Sequence, residues 1–105
     1  MVQTIKRSIK ELAADVPDDY VFKSYNGHIL HNMKELGEEL KTMSIEDYAF
    51  HVNAEKNDFA NWVGDIIKDR TLAKNLRKTS NLAQSAKLVA NRISTISSKS
   101  ALINS

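Results

Sequence analysis

The sequence has no cysteine, one proline and three glycines among its 105 residues. A chain without cysteine forms no disulfide, offers no thiolate metal ligand and has no cysteine nucleophile, so we expect a reducing compartment, the cytoplasm. Three scattered glycines cannot build a glycine-rich phosphate loop. No stretch reaches the roughly 18 apolar residues of a membrane span, and the first residues lack a signal-peptide pattern.

The formal net charge of +2 is divided unevenly along the chain. Residues 1–67 hold seven Lys/Arg and twelve Asp/Glu, a balance of −5, whereas residues 68–105 hold eight Lys/Arg and one acid, a balance of +7. Such asymmetry indicates that the basic part contacts something anionic. The anionic surface could belong to a partner or to the acidic half of this or a neighbouring chain.

The apolar pattern predicts a mainly α fold, a small helical domain of about five to six helices with one short β-hairpin near residues 20–30. Residues 1–16 read as an N-terminal amphipathic helix ended by Pro17. Residues 20–78 read as a globular helical core whose hairpin turns at Asn26–Gly27, a pair that favours a type I′ turn. Residues 79–105 read as a basic amphipathic C-terminal helix or tail.

Capping residues predict where the core helices begin. Asn32, Ser44, Asn57 and Asp69 each stand before apolar residues at helical spacing, as N-caps do. Gly37 either weakens its helix or permits another element to approach closely. The predicted inner faces are Met33, Leu36, Leu40 and Met43; Ile45, Tyr48, Ala49 and Val52; Phe59, Trp62, Val63, Ile66 and Ile67; and Leu72, Ala73 and Leu76.

Both flanking segments carry a narrow apolar stripe at alternating spacings of three and four residues, which we call the N-terminal seam and the C-terminal seam. Such a stripe is typical of a helix that packs against another helix. Neither helix is stable unless its seam is covered, so each needs a docking surface. The N-terminal seam comprises Val2, Ile5, Ile9, Leu12 and Val16, and the C-terminal seam comprises Leu82, Ala86, Val89, Ile93, Ile96, Ser100 and Ile103.

The block of about residues 22–77 resembles a small domain family of unknown function, found mainly in archaeal and some bacterial proteins. The resemblance is carried by the hairpin ending in Asn26–Gly27, by Met33-Lys-Glu-Leu36, and by Leu40 with Met43-Ser44. Its strongest part is His51-Val-Asn53, Lys56-Asn-Asp-Phe59 and Asn61-Trp62-Val63, followed by Asp65, Asp69, Leu72-Ala73 and Leu76. It implies an existing building block without an assigned activity. Lys68 stands where similar sequences more often have glycine, which predicts a longer helix there.

Histidine and carboxylate residues offer weak metal-site candidates. His51, Glu55 and Asp58 are spaced i, i+4, i+7 and would share one face of an unbroken helix. The predicted cap at Asn57 breaks that helix, so the structural interpretation is preferred. His28 and His31 could join His51 in a zinc site only if all three converged. We therefore expect no metal and no cofactor.

An enzyme is not expected, because the Ser, His and Asp residues lack any catalytic-triad context. Phe22, Phe59 and Trp62 could form an exposed platform for a ligand, but aromatic residues at helical spacing favour a core position.

The leading functional prediction is a non-enzymatic helical protein–protein interaction or oligomerisation module, with a homo-oligomer expected and a basic C-terminal helix contacting an acidic partner. Its predicted interaction residues are Ile5, Ile9, Leu12, Leu82, Val89, Ile93 and Ile96. The alternative is nucleic-acid binding by the basic C-terminal helix. Against it, the charges thin out after Lys78 and no aromatic residues accompany them. Its predicted anion contacts are Lys74, Arg77, Lys78, Lys87 and Arg92.

Overall fold

A computed structural model describes the backbone of residues 9–104 and the side chains of residues 11–98. Its elements in chain order are α1 (Ile9–Leu12), a 3-10 turn (Asp18–Tyr20), β1 (Phe22–Lys23), β2 (Ile29–Leu30), α2 (Met33–Thr42), α3 (Ile45–His51), α4 (Asp58–Trp62) with a following π-helical turn (Val63–Ile67), α5 (Arg70–Arg77) and α6 (Leu82–Asn104). The predicted mainly α fold with one hairpin is confirmed. In this described range, no helix has the length and apolar character to cross a membrane.

The N-terminal helix ends earlier than predicted. Its predicted residues 1–8 lie outside the described part, and α1 stops at Leu12 instead of reaching residue 16. Val16 is buried but not helical, and its backbone N–H donates to the carbonyl oxygen of His31 at 2.7 Å. At Val16 the reason is steric, because the ring of Pro17 disfavours a helical conformation for the residue immediately before it.

The β-hairpin is present, but its turn is not the predicted two-residue type I′ turn. Phe22 pairs with Leu30 in an antiparallel ladder, and the N–H of Ser24 donates to the carbonyl oxygen of His28. Gly27 has a φ of 96°, while Asn26 keeps a negative φ. The loop therefore has three residues and ends in a left-handed glycine, a common alternative to the two-residue loop.

All four predicted N-caps are confirmed. The side-chain oxygens of Asn32, Ser44, Asn57 and Asp69 each accept a hydrogen bond from the backbone N–H three residues later. Each bond satisfies one of the N–H groups that a helix start leaves without a partner. The helix starts therefore follow directly from local side-chain chemistry.

Helix α3 presents a different face to the core than predicted. Tyr48 and Val52 are buried as expected, but Ile45 is 72% exposed and Ala49 is also exposed. His51 takes the third inner position instead. Its ring packs against those of Phe22 and Phe59, with centroids 5.1 and 5.0 Å away, so an aromatic cluster fixes the rotation of this helix.

The inner faces of the other core helices are confirmed, and the core aromatics are buried. Phe59 is 1% exposed and Trp62 is 7% exposed. Phe22 stacks on Phe59 with centroids 5.0 Å apart, and the indole N–H of Trp62 donates to the carbonyl oxygen of Tyr20. Aromatic rings from the hairpin, α3 and α4 thus form one packed cluster.

Lys68 ends a helix and does not lengthen it. It has a φ of 75°, the left-handed conformation, and its N–H donates to the carbonyl oxygen of Val63. The chain then turns into the cap of α5. The prediction of a longer helix at this position was therefore wrong, because a left-handed residue after the last turn is the usual way to satisfy the terminal carbonyls.

Lys68→Gly is expected to raise the free energy of unfolding by about 1 kcal/mol. The left-handed conformation costs a residue with a Cβ about 1–2 kcal/mol, and glycine removes this strain. The gain is partly offset, because glycine has more conformational freedom in the unfolded chain. Urea denaturation measures the change. Lys74→Gly is the control, because this exposed lysine lies inside α5 and its replacement should lower stability by about 1 kcal/mol. Destabilisation by both substitutions would contradict the assignment.

The long helix α6 packs on the rest of its own chain. The C-terminal seam buries Val89 and Ile96 among α1, α2 and α5. Gly37 is where α2 and α6 approach closely, since a Cβ there would lie 3.0 Å from Cδ1 of Ile93 and 3.4 Å from Cγ1 of Val89. The predicted docking surface for this helix is therefore supplied by the core itself.

Candidate functional site

The outward side of α5 is a continuous row of cations, which we call the basic face. Leu72, Ala73 and Leu76 are buried and fix the rotation of the helix, so residues on the opposite side face solvent. The sequence contains no acid after Asp69, so α5 itself carries no negative side chain beyond its cap. The basic face consists of Arg70, Lys74, Arg77 and Lys78, all exposed and spaced i, i+4, i+7 and i+8.

The five predicted anion contacts do not form one surface. Lys74, Arg77 and Lys78 belong to the basic face, and Lys87 is exposed on α6. Arg92 differs, because its Nε donates to Oδ2 of Asp69 at 2.7 Å and one terminal nitrogen donates to Oδ1 at 3.3 Å. The charge of Arg92 is therefore used to hold α6 on the cap of α5.

Beside the basic face lies an open groove of about 840 Å³, which we call the loop groove. One wall is the connection between α3 and α4, and the other is the connection between α5 and α6. The walls are tied together, because the amide nitrogen of Asn57 donates to the carbonyl oxygen of Leu76. Its lining residues are Val52, Asn53, Ala54, Glu55, Lys56, Asn57, Asn61, Arg77, Lys78, Thr79 and Ser80.

Two exposed aromatic side chains stand next to the loop groove. Tyr25 of the hairpin loop is 59% exposed and Phe50 of α3 is 50% exposed, and their ring centroids are 4.2 Å apart. Nζ of Lys56, a residue that also lines the groove, lies 5.0 Å from the centroid of the Phe50 ring. A cation over a ring face is an attractive arrangement. Lys56 therefore connects the aromatic pair to the groove.

His51 has a structural role. Its Nε2 accepts a hydrogen bond from the backbone N–H of Tyr25 at 3.0 Å, which assigns the proton to Nδ1. Nδ1 lies 3.0 Å from Oδ2 of Asp58 and donates to it. Since both ring nitrogens are occupied, no lone pair is left for a metal. The helix breaks between His51 and Asp58, as the predicted cap at Asn57 requires, but the two side chains remain in contact across the break.

The other two histidines pair with carboxylates of α2. Nδ1 of His31 lies 2.9 Å from Oε1 of Glu35, and this hydrogen bond raises the pKa of His31 above its ordinary 6.5. The pKa of Glu35 is lowered, chiefly by the backbone N–H of His31. Nδ1 of His28 lies 2.8 Å from Glu39. Among the side chains that the structure describes, no group of three or more His, Asp or Glu residues could hold a metal ion.

Glu39 is a buried carboxylate that anchors the hairpin on α2. Burial raises its pKa, but hydrogen bonds from Ser24, His28 and Asn26 together outweigh burial, so the pKa lies below its ordinary 4.5. Because the pKa of Glu39 is lower in the folded than in the unfolded state, its ionised form stabilises the fold above pH 4.5. This contribution is lost as the pH falls through the folded-state pKa. The contribution of Glu39 to holding the hairpin on α2 is therefore present at neutral pH and lost in acid.

Five of the seven predicted interaction residues have described side chains, and these five pack on their own chain. Leu12, Val89 and Ile96 are buried, while Leu82 and Ile93 pack against the core. Ile5 and the side chain of Ile9 lie outside the described residues. As described, these side chains do not form a free surface for a partner.

Sequence reasoning missed the residues that the fold brings to the groove. Tyr25, Phe50 and Lys56 lie far from the basic C-terminal region in sequence. The sequence pattern therefore showed no aromatic residues beside the cations, although the fold places two of them near the groove. The available signal was the resemblance block, which contains Lys56, Asn57 and Asn61, but nothing in it marked the Tyr25–Phe50 pair as exposed.

Comparison of the chain with protein-family models, with curated proteins and with solved structures found no match. The resemblance of residues 22–77 to a small domain family therefore stays a prediction.

Proposed function

We propose that this protein is a non-enzymatic nucleic-acid-binding module that contacts phosphates through the basic face of α5. The observation that carries the proposal is the alignment of four exposed cations on one helix side, with no acid later in the sequence. This reverses the order of the two functions predicted from the sequence, because the described residues of the C-terminal seam, which favoured a partner, pack on their own chain. We also propose a cytoplasmic location, as expected for a chain without cysteine.

The dimensions of the basic face suit a nucleic-acid backbone. Arg70 and Lys78 are eight residues apart, which corresponds to roughly 12 Å along a helix axis. Phosphates follow one another every 3.4 Å or so along the axis of one duplex strand, and at larger spacing in an extended strand. The face therefore spans about two to four phosphates. Each phosphate that a cation neutralises releases counterions and contributes to affinity.

A second candidate is the protein–protein interaction or oligomerisation module, supported by a different surface. Ile45 is 72% exposed on α3, and Phe50 is half exposed on the same helix. Apolar side chains that are this exposed favour contact with another protein when they belong to a larger patch. The partner could be a second copy of this chain.

The test of the main proposal is fluorescence anisotropy of labelled oligonucleotides with the full chain. We expect the affinity of the wild-type protein to fall by about 100-fold between about 50 and 200 mM salt if four phosphates are contacted. The double variant Arg70→Glu and Lys74→Glu should abolish most binding. Its control is Lys34→Glu with Lys41→Glu on α2, which changes the net charge equally at exposed positions.

Equal loss of binding in both double variants would overturn the basic face as the site. Absence of oligonucleotide binding, together with a dimer in light scattering that Ile45→Glu dissociates, would favour the second candidate. Circular dichroism of every variant checks that the fold is retained, as expected for surface substitutions.

A further inference from the structure

We infer that the nucleic acid bound is single-stranded, with phosphates in the loop groove and an unstacked base on the ring of Tyr25. The inference rests on the proposed function and names both the form of nucleic acid and a second contact surface. It is carried by one juxtaposition: an exposed aromatic pair is joined by Lys56 to a groove that also contains two members of the basic face.

The aromatic pair has the exposure that base stacking requires. Tyr25 keeps 59% of its surface exposed although it packs on Phe50 at 4.2 Å. The core aromatics Phe22, Phe59 and Trp62 are all less than a tenth exposed. The exposure of Tyr25 therefore contrasts with that of the aromatic side chains of the core. Stacking on an exposed ring is how proteins bind single strands without sequence preference.

A chain of hydrogen bonds holds the aromatic pair in a fixed relation to the groove. The N–H of Tyr25 donates to His51, and His51 donates to Asp58. Nζ of Lys56 donates to the same carboxylate oxygen of Asp58 at 3.0 Å. His51 is 4% exposed and packs among aromatic rings, so the centre of this connection is buried. Preorganised contacts avoid the ordering cost of binding.

The loop groove offers hydrogen-bond donors to a phosphate chain. Arg77 donates to the side-chain oxygen of Asn61 at 3.3 Å through one terminal nitrogen, which orients its guanidinium along the wall. Lys78, Lys56 and several amide and hydroxyl groups complete the lining. Glu55 opposes them with one negative charge, so the lining keeps a formal excess of two positive charges, although Lys56 is also paired with Asp58. The volume of about 840 Å³ lies within the range of ligand-binding clefts.

A single strand explains the whole arrangement better than the other anionic partners. In a duplex, the bases are already stacked and paired, so Tyr25 would find no ring face to contact. An acidic peptide could contact Lys56, Arg77 and Lys78, but its carboxylate side chains offer no planar ring that would stack on Tyr25. Only unpaired nucleotides present phosphates and free base faces together.

The experiment compares three labelled probes on the full chain: an oligothymidylate of about eight nucleotides, a short DNA duplex and a poly-glutamate peptide. The wild-type protein should prefer the single strand. Tyr25→Ser should weaken single-strand binding by about tenfold, within the range that loss of one stacked base produces, and leave duplex binding unchanged. Lys56→Gln should weaken single-strand binding by several-fold.

Tyr20→Ser is the matched control, because Tyr20 is 54% exposed and its hydrogen bond to Trp62 uses only its backbone oxygen. Equal effects of Tyr25→Ser and Tyr20→Ser would overturn the inference. If the basic-face variant Arg70→Glu with Lys74→Glu still abolished oligonucleotide binding in that case, the proposed function would survive without it. Preferential binding of the peptide would overturn both.

Discussion

Replacement of Asp69 by alanine is expected to lower the free energy of unfolding by about 3 kcal/mol. Asp69 is 2% exposed and has two partners at once. Its Oδ1 accepts a hydrogen bond from the N–H of Leu72 at 3.1 Å and so caps α5. Its Oδ2 accepts a hydrogen bond from Nε of Arg92 at 2.7 Å. Loss of a cap costs about 1 kcal/mol, and removal of one member of a buried ion pair leaves the other charge without compensation.

The guanidinium of Arg92 decides how large this effect becomes. Its side chain is 23% exposed, so water recovers part of the lost interaction and the broken pair costs about 2 kcal/mol, below the 3–5 kcal/mol known for fully buried pairs. Together with about 1 kcal/mol for the lost cap, this gives the expected total of about 3 kcal/mol. The consequence is structural as well as energetic, because Arg92 belongs to α6 and Asp69 begins α5. Without the pair, the helix that supplies the basic face is held less firmly against the rest of the domain.

Two further variants separate the cap from the ion pair. Asp69→Asn keeps an oxygen for the cap and should cost only about 1–2 kcal/mol. Arg92→Met removes the cation but keeps an apolar stem in place, leaving a buried carboxylate. Urea denaturation monitored by circular dichroism gives all three values. A loss below about 1 kcal/mol for Asp69→Ala would mean that neither contact stabilises the fold.

The part of this fold that sequence predicts well is governed by local chemistry. The N-caps Asn32, Ser44, Asn57 and Asp69 were predictable because a side-chain oxygen satisfies an N–H three residues away whatever the rest of the molecule does. The inner faces of α4 and α5 were equally clear, since each combines a cap with apolar residues at helical spacing.

The rotation of α3 could not be predicted, because the helix has only seven residues and its apolar residues allow two faces. The aromatic cluster decides between them. It brings His51 inward to contact rings of the hairpin and α4, and thereby turns Ile45 and Phe50 outward. This decision depends on residues nearly thirty positions away, so no local pattern contains it.

The candidate site was hidden for the same reason. The loop groove joins two connections, residues 52–57 and 77–80, and the aromatic pair joins residues 25 and 50. Each segment is unremarkable alone. The charge division along the sequence did indicate an anionic partner, and three of the five predicted contacts, Lys74, Arg77 and Lys78, belong to the basic face. The C-terminal helix was named as the contacting surface, however, and there Arg92 is paired with Asp69 and the described seam residues pack on the core.

Phe59→Ala is expected to have the largest effect on stability, a loss of about 3–5 kcal/mol. Phe59 is 1% exposed and contacts three rings, with centroids of Phe22, His51 and Tyr48 at 5.0, 5.0 and 5.9 Å. Truncation removes these contacts and leaves a cavity that a close-packed interior fills only in part. Since a domain of this size is stable by about 5–15 kcal/mol, the variant is expected to be close to unfolding at elevated temperature.

The matched control is Phe50→Ala, which removes the same number of atoms from a side chain that is half exposed. Its expected loss of stability is about 1 kcal/mol, because much of the ring already faces water. The two variants should differ in the property that they impair. Phe59→Ala lowers stability most, while Phe50→Ala keeps the fold and weakens single-strand binding by removing the support of Tyr25. Thermal denaturation measures the stability of both variants, and fluorescence anisotropy measures their binding to the single strand. Similar losses of stability in the two variants would contradict the division into a buried aromatic cluster and an exposed binding pair.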